Sequence, residues 1–202
     1  MIRFIPRLYS RILSRSLFIQ STPNPNSQQF FPEKTVLEKG TKDFLTSMDT
    51  TNSPLTTKLF TISGIKSVFL GPDFITVTKN DSLDWQVMKP LILGAIMDHF
   101  NSDEPTINKE TNDKREKSLL ENSEDSDIVK QIKELLDTRV RPAVAMDGGD
   151  IVYDNFENGI VYLHMQGACS GCPSSTATLK MGIENMLKHY IPEVKEVRPV
   201  DA

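Results

Sequence analysis

The sequence predicts an α/β (α+β) protein of two small domains, joined by a polar tether and preceded by a basic leader. Three observations predict it. Charge and composition divide the 202 residues into four unequal stretches. Apolar spacing alternates between helical and strand periods in two separate regions. The only two cysteines, Cys169 and Cys172, fall in a glycine-rich joint between a strand and a helix. Apolar residues make up 38% of the chain, enough with ten Phe and one Trp to build folded cores. The formal charge of −4 argues against nucleic acid as a partner, because neutralising phosphates needs concentrated Lys and Arg. No run approaches the roughly 18 apolar residues of a spanning helix, so no membrane span is expected. Two cysteines so close together also exclude a disulfide-built scaffold, since their bond would close too small a loop to restrain the unfolded chain.

Residues 1–16 read as a mitochondrial transit peptide. Arg3, Arg7, Arg11 and Arg15 recur every four residues beside Phe4, Ile5, Leu8, Tyr9, Ile12 and Leu13, and the first acidic residue is Glu33. A secretory signal needs an uninterrupted apolar stretch of roughly 7–15 residues, which these arginines break. Removal is expected between about Arg15 and Gln20.

Residues 17–102 read as a small α/β domain. Short strands flank the turn Pro23-Asn24-Pro25-Asn26. Ser53-Pro54 starts a helix with apolar Leu55, Leu59, Phe60 and Ile62, and Gly64 ends it. Ile65–Leu70 and Phe74–Val77 form a hairpin through Gly71-Pro72-Asp73. A helix follows from Trp85 to Phe100, which Pro90 either starts in regular form or kinks. His99 reads as a surface or hydrogen-bonded residue, and the domain as a recognition or spacer unit without chemistry of its own.

Residues 103–125 read as a flexible acidic linker. Between Asn101 and Asp127 thirteen charged positions face only Ile107, Leu119 and Leu120, too little apolar surface to offset the entropy of ordering. Extended, this tether reaches roughly 75 Å, which lets the two folded parts reorient.

Residues 126–202 read as α-β-β-α-β, with the helices packed on one face of a small mixed sheet. Ile128, Ile132, Leu135 and Leu136 give the first helix its apolar side, and Arg139-Val140-Arg141-Pro142 closes it. Asp147-Gly148-Gly149-Asp150 is a tight turn, its acids more structural than acid–base machinery. Strands follow at Ile151–Tyr153 and Ile160–Met165, with Val161, Leu163 and Met165 on one side. Leu179, Ile183, Met186, Leu187 and Tyr190 mark the second helix, and Val194–Val200 the last strand.

The chemistry sits at Gln166-Gly-Ala-Cys169-Ser-Gly-Cys172-Pro-Ser-Ser-Thr176. A Cys-x-x-Cys pair where a strand turns into a helix lets both sulfurs face one ion or cluster. The unpaired N–H groups and positive dipole end of the helix favour thiolate over thiol. Gly167 and Gly171 let the backbone wrap closely, and Pro173 fits the first helical position. Neither thiol is expected to belong to the apolar core. Four readings stay open on these residues. A thiol–disulfide oxidoreductase uses the same pair, though normally on a larger scaffold. Zinc wants four ligands, and His164 reads as a surface residue instead of a third. An iron–sulfur cluster also wants four, which two chains supply with twofold symmetry. Inert packed cysteines complete the set.

Asp147-Gly-Gly-Asp150, the cysteine segment, Thr178-Leu-Lys-Met-Gly-Ile183 and Tyr190-Ile-Pro-Glu-Val194 together resemble the NifU-like iron–sulfur scaffold family over 126–200. Thr22-Pro-Asn-Pro-Asn26, Gly71-Pro-Asp-Phe-Ile-Thr-Val77 and Leu83-Asp-Trp85 resemble the amino-terminal domain of its mitochondrial two-domain members. The resemblance implies a non-enzymatic carrier of a [4Fe–4S] cluster in the mitochondrial matrix. Cys169 and Cys172 would be its ligands, matched by the same pair in a second protomer, so the loaded form is a homodimer. It implies receipt from upstream iron–sulfur assembly factors. It also implies delivery to client apoproteins such as lipoyl synthase and respiratory-complex subunits. An iron–sulfur electron-transfer protein is the alternative with the same ligands. No catalytic residues are expected.

Overall fold

A computed structural model describes residues 17–46, 50–102, 104–108, 126–170 and 173–200. The leader and most of the expected linker lie outside these residues. The first unit runs β1 (Phe18–Ser21), β2 (Ser27–Phe31), β3 (Lys42–Leu45), α1 (Pro54–Phe60), β4 (Ile65–Leu70), β5 (Ile75–Lys79) and α2 (Trp85–Asn101). The five strands pair antiparallel in the order β1-β2-β5-β4-β3. Ser53 caps α1, accepting from the Thr56 N–H, and Pro54 stands in its first turn. Asp84 caps α2 through the Gln86 N–H at 2.8 Å, so this helix begins five residues before Pro90. Pro90 therefore lies inside it and costs one i→i−4 bond without ending the helix.

One face of this sheet is a closed core. Phe30, Phe44, Val68, Leu70, Ile75 and Val77 meet Leu55, Leu59, Met88, Ile92 and Ile96. Each fully buried aliphatic side chain contributes about 1.5–3 kcal/mol. His99 belongs to the interior as well, against expectation: it is 0% exposed, and neither ring nitrogen has a hydrogen-bond partner among the described residues. Burial first, and then Lys58, push its pKa down, with Glu104 opposing. Residues 104–108, the near end of the expected linker, lie against this unit. The Asn108 N–H donates to the Asn52 carbonyl, Ser53 Oγ donates to the Thr106 carbonyl, and Ile107 packs on the core.

The second unit runs α3 (Asp127–Leu135), a π turn (Leu136–Val140), α4 (Arg141–Met146), β6 (Gly149–Glu157), β7 (Ile160–Gly167), α5 (Pro173–Tyr190) and β8 (Glu196–Val200). Pro142 does not stop the first helix as expected. The chain widens into the π turn, and Pro142 falls in the first turn of α4, where a missing N–H costs little. Strand β6 also outruns its expected span, bulging between Tyr153 and Asn155 and ending at Asn158-Gly159. Both turn residues have positive φ, 54° and 85°, the signature of a two-residue hairpin turn. β6 and β7 are antiparallel, while α5 carries the chain across so that β8 lies parallel to β7. The sheet is thus mixed. Its Ile151, Val161, Leu163, Met165 and Val197 share one core with Ile132, Leu136, Val140, Val144, Ile183 and Leu187 from the helices.

Candidate metal centre

Strand β7 delivers the cysteine loop. Gly167 ends the strand with φ +64°, in register with Gly149, the first residue of β6. The loop is then pinned to the preceding turn: the Ala168 N–H donates to the Gly148 carbonyl at 3.0 Å, and the Ser170 N–H to the Gly167 carbonyl at 3.1 Å. Gly148 needs its glycine, with φ +84°. Gly149 needs it for space, because a Cβ there would lie 2.6 Å from Cys169 Sγ and 2.6 Å from the Gln166 carbonyl oxygen. The glycine pair read as a tight turn has a second task, making room for the sulfur.

Cys169 is 6% exposed and packs in the apolar core of the second unit, which corrects its expected place outside that core. The strand's last turn folds the sulfur back toward β6. Cys172 and Gly171 lie outside the described residues, as do the side chains of Ser174, Ser175 and Thr176. Helix α5 starts at Pro173, so the loop meets the positive end of an 18-residue helix. A thiolate is the soft ligand that iron and zinc accept. Among the described residues no group of three or more His, Cys, Asp or Glu side chains converges as a metal site. His164, considered for zinc, sits on the outer side of β7 with Nε2 3.3 Å from Asp154 Oδ1.

Asp150 is structural, as its pairing makes plain. It is 3% exposed and fully engaged. Arg141 grips it with two bonds, Nε to Oδ1 at 2.8 Å and Nη2 to Oδ2 at 2.7 Å. The Ile151 N–H and the Thr41 hydroxyl add bonds at 2.8 and 2.6 Å. The hydrogen bond with Asp150 holds the Arg141 pKa above its ordinary range, against burial. Asp147 is exposed.

Thr41 belongs to the first unit, and it is not alone in reaching the site. Asn24 Nδ2 donates to the Ala168 carbonyl at 3.2 Å, and Gln29 Nε2 to the Ala145 carbonyl at 3.0 Å. The Asp43 carboxylate accepts from the Gly167 and Phe44 N–H groups, yet burial outweighs both and pushes its pKa up to about 6. Phe69 lies where a Cβ on Gly167 would go, 2.9 Å from its Cγ. Sequence reasoning gave the first unit no part in the site. The signals were an Asn between two prolines, and polar Thr76 and Thr78 alternating with Ile75 and Val77 in β5.

Comparison with known proteins places both units. A family model for a NifU-like domain matches residues 132–198, and one for the Nfu/NifU scaffold amino terminus matches 17–103. The human NFU1 iron-sulfur cluster scaffold homolog, mitochondrial, is 54% identical over 92% of this chain and 73% of that protein. NifU-like protein 4, mitochondrial, of Arabidopsis thaliana is 51% identical over 91% of this chain and 66% of its own length. The solution structure of a NifU-like protein from Saccharomyces cerevisiae aligns with a TM-score of 0.43 at 23% identity, over 47% of this chain and 86% of that one. With two family models in tandem and such identity over nearly its whole length, this chain belongs to the Nfu/NifU family of iron–sulfur cluster scaffold proteins.

Proposed function

We propose that this chain carries a [4Fe–4S] cluster as cargo, held by Cys169 and Cys172 together with the same pair from a second copy, and delivers it to apoproteins. The observation that carries the reading is Cys169 at the joint of β7 and α5, set against Gly149 and near a helix start that favours thiolate. Ligand arithmetic supports a shared site: two thiolates per chain against the four such a cluster wants. A scaffold must also release what it binds. Incoming client thiolates replace Cys169 and Cys172 one at a time, each exchange trading one iron–sulfur bond for another without net oxidation. No substrate turnover is involved, so the chain is a carrier and not an enzyme. Its relatives' names place them in mitochondria, and the acid-free arginine stripe of residues 1–16 supports the matrix as its own location. Upstream assembly factors would load it, and lipoyl synthase and respiratory-complex subunits are the expected clients.

Anaerobic reconstitution followed by Mössbauer spectroscopy and native mass measurement tests this. The expected product is a dimer with four iron and four sulfide. Cys169→Ala should lose the cluster while the apo protein stays folded, at a cost on the order of 1 kcal/mol for the lost buried sulfur. A monomer binding one zinc and no sulfide overturns the reading. A cluster that stays bound while cycling between redox states with a partner favours electron transfer.

A further inference from the structure

The register of the first sheet puts one residue from each of its five strands in a single row. Gln20 pairs with Gln29, Gln29 with Thr76, Thr76 with Phe69, and Phe69 with Asp43. Strand geometry sends all five side chains to the face opposite the helices. That row lies along the second unit's cysteine loop and glycine turn. Gln20 and Gln29 donate to the carbonyls of Met146 and Ala145. A Cβ on Gly148 would meet Gln29 and Thr76. Phe69 and Asp43 meet Gly167, and Asn24 reaches Ala168 from the β1–β2 turn. Ala168, held by this contact, is 3% exposed. Cys169 beside it is buried by the core of its own unit, so its thiol reacts only when the loop opens, and the contact holds the loop shut.

The contact is built to separate. Apart from Phe69, which is 0% exposed and packs at Gly167, the row is Gln, Thr and Asp. Such side chains are the kind an antiparallel sheet presents to water, and the helices on the other side already complete a core without it. Seating it strands polar atoms: Gln29 Oε1, Asp43 Oδ1 and Thr76 Oγ1 have no hydrogen-bond partner among the described residues, and all three lie in the row. Water would satisfy each of them on opening. The sequence joins the units by a charged tether long enough to let them part.

We propose that this polar face is a reversible cover for the chain's own cysteine loop, seated in the unloaded protein and lifted when a second copy brings its loop to share a cluster. The proposal rests on the shared-cluster reading above. Two cysteine loops that hold one cluster between them must face each other, and the backbone of Gly167 and Ala168 cannot at once face a second loop and carry the row. Cover and dimer therefore compete for one surface, and loading is coupled to domain separation. The first unit thereby acquires a part in the chemistry: by holding the loop shut it keeps the unloaded Cys169 thiol from oxidants and from stray metal.

Thr76→Lys and, as a second variant, Gln29→Lys place a charge in the row while leaving the helix-side core untouched. In the reduced apo full-length chain, iodoacetamide labelling of Cys169 is followed by peptide mass spectrometry. Both variants should label at least about tenfold faster than the parent, with Trp85 fluorescence unchanged to show that the first unit is folded. Equal rates in all three overturn the cover, and that arm needs no iron. In the reconstituted parent protein, the Asn24 side-chain amide signals in nitrogen-15 NMR should move to their positions in apo Thr76→Lys. Signals that stay put in a sulfide-bearing dimer overturn the competition. If parent and variant both fail to form such a dimer, the shared-cluster reading falls, while the labelling rates still decide the cover.

Discussion

Arg141 is the side chain whose loss the second unit should tolerate least. Asp150 is buried at 3% exposure, with Arg141 supplying two of its four bonds and the only opposing charge among them. Arg141→Met keeps the aliphatic stem and removes the guanidinium, leaving a carboxylate held by one N–H and one hydroxyl. Breaking a buried pair from one side costs about 3–5 kcal/mol. The guanidinium is itself 38% exposed, and water entering from that side reduces the loss, so about 2–4 kcal/mol is the better expectation. For a unit of this size each kcal/mol moves the midpoint by about 4–8 °C, so its thermal transition should fall by at least about 8 °C. Circular dichroism melts and urea titrations of the full chain read both quantities. Adding Asp150→Asn to the variant removes the stranded charge and should recover about half of the loss or more. A loss below about 1 kcal/mol, or a double variant no better than the single one, would refute the reasoning.

Two further perturbations follow from the same geometry. Gly149→Ala drives a methyl into Cys169 Sγ and the Gln166 carbonyl. It should cost about 1–3 kcal/mol and weaken cluster retention in a chelator challenge; wild-type retention would count against the packing role of this glycine. Asp43 has its pKa raised from 3.8 to about 6 in the seated form, chiefly by burial, so its ionised state opposes seating above pH 6. That opposition fades as pH falls through 6 and is gone below 3.8, a swing of at most about 3 kcal/mol. Cys169 alkylation should accordingly be slower relative to the intrinsic thiol rate near pH 5 than near pH 7.5, and Asp43→Asn should flatten that difference; the same pH profile in both would exclude Asp43 as its source.

Much of the site was legible because it depends on local chemistry. The strand–loop–helix setting of Cys169, the positive-φ turn at Gly148 and the first-turn proline at 173 are each set by residues within a few positions. The alternation of Val161, Leu163 and Met165 likewise identified the inner face of β7. What escaped depends on pairing across distance. β3 is a four-residue strand whose Asp43 and Lys42 hide its pattern, and only β4 beside it makes it a strand. His99 reads as an ordinary helix-end residue until the 104–108 segment folds beside it. The burial of Cys169 could not be read from its loop, since it comes from the core of the second unit and from Gly149, twenty residues back along the hairpin. Asn24 and Ala168 are likewise joined only by tertiary structure.

The π turn at Leu136–Val140 acts as a phase corrector. Ile132, Leu136, Val140 and Val144 all enter one core although they recur every four residues. On a regular helix of 3.6 residues per turn each such step overshoots by about 40°, and three steps would carry Val144 about 120° off the face that Ile132 occupies. Widening the coil for five residues takes back part of that rotation, as an inserted residue in a coiled seam does. The reading frame of this segment is thereby tied to the aim of everything after it. Deleting a single residue between 136 and 140 would let the helix close to ordinary pitch and swing Arg141 by about 100° around the axis, off Asp150. Point substitutions there can be absorbed by repacking, but a change in length cannot, and the constraint falls on spacing more than on side-chain identity.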